Sequence, residues 1–175
     1  DCDGSVGIGF NTLRTLVSGI GNVAVGYQAM YAEDDGDSCT AVGHQALTAQ
    51  TGSSAEVANT AVGYQAGVAV TKGRYTTIVG KQALYTETIG DRSTAIGYQS
   101  MYAQNSDSDN EITGNTGLGM YSGMHNVTGQ NNTYLGYGAG TGVSGNSNSN
   151  NTAVGKDALL GITTGGTNVA VGVES

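Results

Sequence analysis

Residues 59–67 read Asn-Thr-Ala-Val-Gly-Tyr-Gln-Ala-Gly, and close variants of this run recur from one end of the chain to the other. We number the residues of the run from position 1 to position 9, so that its first glycine stands at position 5. That glycine recurs at Gly9, Gly26, Gly43, Gly63, Gly80, Gly97, Gly119, Gly136, Gly155 and Gly172. The successive spacings are 17, 17, 20, 17, 17, 22, 17, 19 and 17 residues. A period near 17 with small insertions predicts one short unit stacked on copies of itself, with these glycines as structural positions of the repeat.

The unit itself has the character of a β-strand. Position 2 is always Thr or Val, and position 4 is always Val, Ile or Leu. β-Branched residues at alternate positions favour an extended strand over a helix. We therefore predict an all-β fold, a parallel β-solenoid of about ten coils of about 17 residues. It forms one repeat domain over residues 1–175, and stacked strands about 4.8 Å apart would make a rod about 45–50 Å long.

The two faces of the predicted strand are both almost free of charge. Positions 2 and 4 share one face because side chains alternate along a strand, and we expect this face to line the interior of the coil. Positions 3 and 5 carry mainly Ala and Gly, which suggests that another backbone approaches closely on the second face. This reading predicts an oligomer packed through the Ala/Gly face. The alternative is that glycine relieves crowding in a tight monomeric coil.

Two further positions predict ladders along the stack. Position 6 is often Tyr and position 7 is mainly Gln, as in Tyr64 and Gln65. Equivalent residues of a parallel stack lie directly above one another, so amide side chains can bond from coil to coil and aromatic rings can stack.

Charge and hydropathy exclude several classes of partner. The net charge is −8, and the six basic residues are scattered rather than clustered. The basic residues therefore form no phosphate-binding cluster in the sequence, which argues against nucleic acid and against anionic membrane surfaces as partners. No apolar stretch reaches the roughly 20 residues of a membrane-spanning helix, so we expect no membrane insertion.

The acidic residues concentrate in the polar arcs that join one strand to the next. The three longer spacings place their additional residues in these arcs, within 48–58, 104–114 and 141–150. Asp107, Asp109 and Glu111 alternate as calcium ligands do, whereas a solvated acidic stripe that maintains solubility is the competing interpretation. A second acidic group follows repeat 2, at Glu33, Asp34, Asp35 and Asp37. Variable arcs are a poor rigid platform for catalytic carboxylates, so we predict no enzymatic activity and no obligatory cofactor.

The cysteines and threonines raise two separate questions. Cys2 and Cys39 are the only cysteines; they could link neighbouring chains in an oxidising setting, or remain as buried free thiols. The threonines at position 2 form a file of the kind that binds ice on some β-solenoids. Because this file shares its face with aliphatic residues, we expect it to point to the interior, which argues against ice binding.

Three short elements carry a resemblance to known families: residues 59–63 (Asn-Thr-Ala-Val-Gly), 93–97 (Ser-Thr-Ala-Ile-Gly) and 151–155 (Asn-Thr-Ala-Val-Gly). They resemble the head repeats of trimeric autotransporter adhesins. The longer consensus Asn-Thr-Ala-Val-Gly-Tyr-Gln-Ala-Leu, which residues 59–67 match except at Gly67, is similar to repeats of phage tail fibres. The resemblance spans essentially the whole chain. It implies a left-handed parallel β-roll, with three chains packed side by side.

This resemblance also implies a function. The chain would be a non-enzymatic structural or adhesive segment of an extracellular fibre, on a virion tail or a cell surface. Tyrosines in the arcs, at Tyr31, Tyr85 and Tyr102, would then contact cell-surface glycans weakly and many times over.

Two alternatives remain open at this point. The sequence begins and ends within a repeat and shows no polar cap, which would allow coils of successive copies to pair head to tail in a filament. A third reading is a solenoid that binds ice or calcium on its own. In the first two readings the partner is the chain itself, as a homotrimer or as a head-to-tail polymer.

Overall fold

A computed structural model describes residues 3–52, 56–109 and 111–175, and it shows one parallel β-solenoid. The ten strands β1 to β10 are Val6–Ile8, Val23–Val25, Thr40–Val42, Thr60–Val62, Thr77–Val79, Thr94–Ile96, Thr116–Leu118, Thr133–Leu135, Thr152–Val154 and Val169–Val171. They form a single sheet in chain order, each strand pairing in parallel with the next. The predicted fold class is confirmed. In the described ranges no helix is present that could cross a membrane.

Like residues align with like residues throughout the sheet. Thr60 is in register with Thr40 on one side and with Thr77 on the other. The long spacings do not disturb this register, because their additional residues lie in the arcs, as predicted. We call the stretch from one strand to the next a coil and number each coil by its strand.

The strand faces are the reverse of what the sequence analysis expected. Ala61 at position 3 of β4 is fully buried, whereas Thr60 is partly exposed and Val62 is 38% exposed. The same alternation appears in β2 to β9, so position 3 points into the coil and positions 2 and 4 point outward. The expectation that Thr and Val line the interior is wrong. A coil of about 17 residues is narrow, and where position 9 is Leu or Met the interior beside the strand has room for little more than a methyl group.

Position 5 is glycine because of contacts between coils of the same chain. Gly97 has φ +135°, and a Cβ atom placed on it would lie 2.5 Å from the carbonyl oxygen of Gly119 in the next coil. The other glycines at this position have φ between +129° and +140°. The close backbone approach inferred from these glycines therefore occurs within the solenoid, and not against a neighbouring chain as expected.

The interior opposite the strand is filled by positions 8 and 9. Ala46 and Leu47 are both fully buried, as are Ala83 and Leu84. Leu47 and Leu84 have φ +48°, so the chain turns through the left-handed region at this corner. The cost of that conformation is offset by burying a large aliphatic side chain in the centre of the coil.

Asparagine at position 1 connects two successive levels of the stack. The Asn22 side chain accepts a hydrogen bond from the backbone N–H of Cys39 at 2.9 Å and donates one to the carbonyl oxygen of Gly36 at 2.7 Å. Asn115 repeats this pattern with Asn132 N–H and the Gly129 carbonyl. Each such amide satisfies two backbone groups that burial would otherwise leave unpaired.

Glutamine at position 7 forms the ladder predicted from the sequence. The Nε2 of Gln45 donates to the Oε1 of Gln28 at 3.1 Å, and Gln65 donates to Gln45 at 3.0 Å. Gln82 and Gln99 extend the chain of amides to coil 6. The ladder is half-buried and lies at the edge of the outward strand face.

Candidate interaction face

The outward side chains of the sheet form one continuous surface, which we call the strand face. It consists of positions 2 and 4 of every strand, together with the position 6 side chains that flank them. Positions 2 and 4 carry Val6, Val23, Thr40, Thr60, Thr77, Thr94, Thr116, Thr133, Thr152 and Val169, and Ile8, Val25, Val42, Val62, Val79, Ile96, Leu118, Leu135, Val154 and Val171. None of these residues is charged. Positions 2 and 4 therefore form an uncharged array of threonine and aliphatic side chains on a regular lattice, and the position 6 column beside them includes Lys81 and Lys156.

The aliphatic column of this face is substantially exposed in the single chain. Leu118 and Leu135 are each 41% exposed, beside exposed Thr116 and Thr133. Positions 2 to 6 span about 13 Å and ten coils span about 45 Å, which gives an area of roughly 600 Å². Threonine hydroxyls and the two position 6 lysines take up part of this area, so its apolar part falls within the roughly 300–600 Å² of the largest patch on a typical monomer, a patch that is often functional.

The position 6 column adds a stack of rings to one side of the strand face. Tyr27 and His44 stack with ring centroids 4.9 Å apart, and His44 and Tyr64 stack at 5.2 Å. Lys81 continues the column, with its Nζ 5.8 Å from the Tyr64 centroid and 5.7 Å from that of Tyr98. The predicted aromatic stacking is present. Within the stack, ring faces cover one another, so the column presents ring edges to solvent.

The arc tyrosines are not brought together as one site. Tyr85 and Tyr102 stack with centroids 4.9 Å apart and planes 2° apart. Tyr31 lies in coil 2, three coils away, where its hydroxyl accepts a hydrogen bond from Arg14 at 2.7 Å. A glycan-binding role for these three residues stays a prediction.

Two of the three carboxylates expected for calcium, those of Asp109 and Glu111, have protein partners. Asp109 forms an ion pair with Lys72 at 3.4 Å, and Glu111 accepts a hydrogen bond from the Asp107 backbone N–H at 3.1 Å. Glu111 also accepts one from the Gln130 side chain. These contacts connect the arc of coil 6 to other coils, and calcium binding by Asp107, Asp109 and Glu111 stays a prediction. The alternating acidic pattern here is compatible with a purely structural role.

Of the two cysteines, only Cys39 lies within the described residues. Its side chain is fully buried and its thiol is free. Burial raises the pKa of this thiol to about 12. Cys2 lies outside the described residues, and the link between chains through Cys2 and Cys39 stays a prediction.

Sequence reasoning assigned the acidic residues to solvated arcs and did not predict that two glutamates at position 12, seven residues after the position 5 glycine, are buried. Glu33 and Glu87 are each fully buried inside their coils. Glu87 accepts backbone hydrogen bonds at one oxygen from Gly90 at 2.9 Å and from Ser106 at 3.1 Å. Each glutamate thus connects its own arc to the arc above. The sequence did contain a signal for them, because each glutamate lies in the coil before one with a long arc.

The two glutamates differ in their surroundings. Desolvation raises the pKa of Glu33, and the neighbouring charge of Asp34 acts in the same direction, while backbone N–H groups of Gly36, Gly52 and Asp34 oppose it. Among the described residues, the carboxylate oxygens of Glu33, Asp34 and Asp35 form the one group of three metal-ligating side chains that lies within 4.8 Å.

Comparison with known proteins gives no match: no family profile, no curated protein and no solved structure is similar to this chain. Its function must therefore be argued from the strand face and the arcs themselves.

Proposed function

We propose that the chain is a structural segment of an extracellular fibre in which three copies pack through their strand faces. The observation that carries this proposal is that uncharged columns at positions 2 and 4 are exposed or half-buried along all ten strands. Burying apolar area of this extent is favourable by about 25 cal/mol per Å² before association costs are counted.

Other copies of the same chain are the partners that fit this face best. The face repeats every coil, so two copies side by side present the same lattice to each other along their whole length. Thr60 and Val62 of one copy can meet the same side chains of another without placing a charge in the contact. A face of about 600 Å² on each chain, divided between two neighbours, would bury roughly 1,800 Å² in total over the three interfaces of a trimer.

The acidic arcs fit the same arrangement. The arc carboxylates Asp34, Asp107 and Asp109 are exposed, whereas positions 2 and 4 hold none. Packing through the strand face would leave the negative charge on the outside of the assembly, where it maintains solubility. The hydrogen-bonded stack of coils would then form a stiff rod whose arcs face the solvent.

The test compares two variants that add the same charge at different places. Val62→Glu puts a carboxylate on the strand face, and Val143→Glu puts one on an exposed arc; the two valines are 38% and 45% exposed. Light scattering coupled to size exclusion should give a trimer for the parent protein and for Val143→Glu, and a monomer for Val62→Glu. A monomeric parent protein would refute the proposal.

Exposure of the threonine file favours ice binding as a second candidate. Seven consecutive coils, from Thr40 to Thr152, present threonine at position 2, and the expected interior location was the reason for setting ice binding aside. An ice-binding surface must remain open to water, so the two candidates require opposite oligomeric states. A monomer that shows thermal hysteresis, abolished by Thr94→Lys, would support ice binding. A trimer without hysteresis would support the fibre.

A further inference from the structure

Glu33 and Glu87 occupy equivalent places in two coils and hold their arcs in the same way. One oxygen of Glu33 accepts backbone hydrogen bonds from Gly36 at 2.7 Å and from Gly52 of the next coil at 2.9 Å. The corresponding oxygen of Glu87 accepts from Gly90 and Ser106. The chain therefore builds the same buried carboxylate frame twice.

The second oxygen distinguishes the two frames. Glu87 Oε2 accepts a hydrogen bond from the Ser106 hydroxyl at 3.0 Å. Gly52 lies where Ser106 lies and offers no hydroxyl, so Glu33 Oε2 is buried and has no hydrogen-bond partner among the described residues. Leaving a buried carboxylate oxygen unpaired is costly, on the order of 1–3 kcal/mol or more.

The residues that follow the glutamates also differ. Asp34 and Asp35 follow Glu33, whereas Thr88 and Ile89 follow Glu87. Asp35 Oδ1 is likewise buried and unpaired, so two of the four unpaired buried side-chain atoms in the described ranges belong to this cluster. The ion pairs of the described chain involve Asp91, Asp109, Asp157 and Glu174, and none of them reaches the cluster.

We infer that Glu33, Asp34 and Asp35 bind a calcium ion in the arc of coil 2. Three carboxylates with oxygens within 4.8 Å repel one another, and a divalent cation between them would remove that repulsion and pair both buried oxygens. An all-oxygen set on a flexible arc suits Ca²⁺, which accepts irregular geometry with several waters. Mg²⁺ requires a more regular octahedron, and Zn²⁺ prefers nitrogen and sulfur.

Bound calcium would connect two levels of the solenoid. Glu33 already joins the arc of coil 2 to Gly52 in the long arc of coil 3. A cation on its other oxygen would fix the exposed Asp34 and the half-buried Asp35 against this joint. This inference does not depend on the proposed fibre function, since it concerns one coil of one chain.

The chain supplies its own control sequence for the test. Asp34→Thr/Asp35→Ile converts the arc of coil 2 to the sequence of coil 5, which folds around Glu87 without extra carboxylates. Asp107→Asn/Asp109→Asn removes the same number of charges from the other acidic arc. Calcium chloride is titrated into each chelator-treated protein by calorimetry, and circular dichroism confirms that each variant is folded.

We expect one calcium ion per chain, with a Kd on the order of 10⁻⁴ M, the range of extracellular sites. Asp34→Thr/Asp35→Ile should weaken binding at least tenfold, and Asp107→Asn/Asp109→Asn should leave it unchanged. The thermal midpoint of the parent protein should rise with calcium and fall again with chelator. The assignment is overturned by an absence of binding in the parent protein, by binding that survives in Asp34→Thr/Asp35→Ile, or by equally tight binding of Mg²⁺.

Discussion

The ring of Tyr134 occupies the space that a side chain on Gly123 would fill. A Cβ atom on Gly123 would lie 2.8 Å from Cδ2 of Tyr134 in the next coil. Most strands carry Ala at position 3, and most coils carry Leu or Met at position 9. At this place in the stack position 3 is instead the large Tyr134, and position 9 of the preceding coil is Gly123. Ile78 and Gly67 form a second such pair, with Ile78 Cδ1 2.6 Å from a Cβ on Gly67. The interior thus keeps its volume while its large side chain moves from one wall to the other.

This compensation predicts strong coupling between positions 123 and 134. Gly123→Leu restores the common residue in an allowed conformation, since φ at Gly123 is +61°, but it collides with the tyrosine ring. Tyr134→Ala leaves a cavity and should cost about 3–5 kcal/mol of unfolding free energy. The loss of unfolding free energy in Gly123→Leu/Tyr134→Ala should be smaller than the sum of the losses in the two single variants, by about 1 kcal/mol or more.

Denaturant unfolding of the four proteins measures the coupling. Gly67→Leu serves as a control, because at the same position it collides with Ile78 instead of Tyr134 and should not be rescued by Tyr134→Ala. Strict additivity between positions 123 and 134 would contradict the packing described here.

The sequence was sufficient to predict the coils because the period and the strand residues point to the same answer. It could not predict which face of the strand is interior, since neither face of Thr60, Ala61 and Val62 carries a charged residue that would identify the face exposed to solvent. The informative positions were Ile78 and Tyr134, the exceptions at position 3. Each of these large side chains is accompanied by a glycine at position 9 of the preceding coil. Such compensation in size is required only where the side chains share an interior.

The candidate calcium site shows a different limit of the sequence. Glu33 is one acidic residue among several in its arc, and its burial follows from the inward direction of position 12. Residues at that position in other coils include Gln50, Val70 and Gln104, all buried, which identifies the position as interior only once the coil is known. Whether Glu33 Oε2 has a partner depends on Gly52, nineteen residues later, and no local pattern reports that contact.

The position 5 glycines allow backbone strain to be separated from collision with the next coil. Gly97 and Gly172 have φ of +135° and +136°, but a Cβ on Gly172 meets nothing closer than 3.7 Å, in Ser175. Gly97→Ala should therefore cost several kcal/mol more than Gly172→Ala, which bears the backbone strain alone, about 1–3 kcal/mol. Thermal unfolding followed by circular dichroism compares the two. Equal losses would mean that the carbonyl of Gly119 can move away freely.

The asparagine ladder should contribute unequally along the rod. Asn22→Ala removes the partners of Cys39 N–H and the Gly36 carbonyl inside the solenoid, and we expect a loss of about 2–4 kcal/mol. Asn168 stands at the same position directly before β10, where its side chain is exposed. Asn168→Ala should cost less than about 1 kcal/mol, because water can replace the lost bonds. Chemical denaturation of both variants tests the difference, and a larger loss at Asn168 would contradict the role assigned to burial.

Cys39 should make the protein sensitive to alkaline pH. Its pKa is about 12 in the folded chain and 9.0 as the ordinary reference value, so the folded state retains the proton over this interval. The resulting stabilisation is complete below pH 9 and is lost as the pH rises toward about 12. Relative to Cys39→Ala, the unfolding free energy of the parent protein should therefore fall more steeply there, by up to about 1.4 kcal/mol per pH unit.

The same burial should protect the Cys39 thiol from modification. In a Cys2→Ser background, which leaves Cys39 as the single cysteine, a disulfide reagent at pH 8 should label the native protein very slowly and the unfolded protein at once. Labelling of the native protein should require local opening of the coil around Cys39, because the reactive thiolate is disfavoured while the side chain is buried. Rapid labelling of the native protein, together with parallel stability curves for the parent and Cys39→Ala, would place this thiol in contact with solvent and refute its assignment to the core.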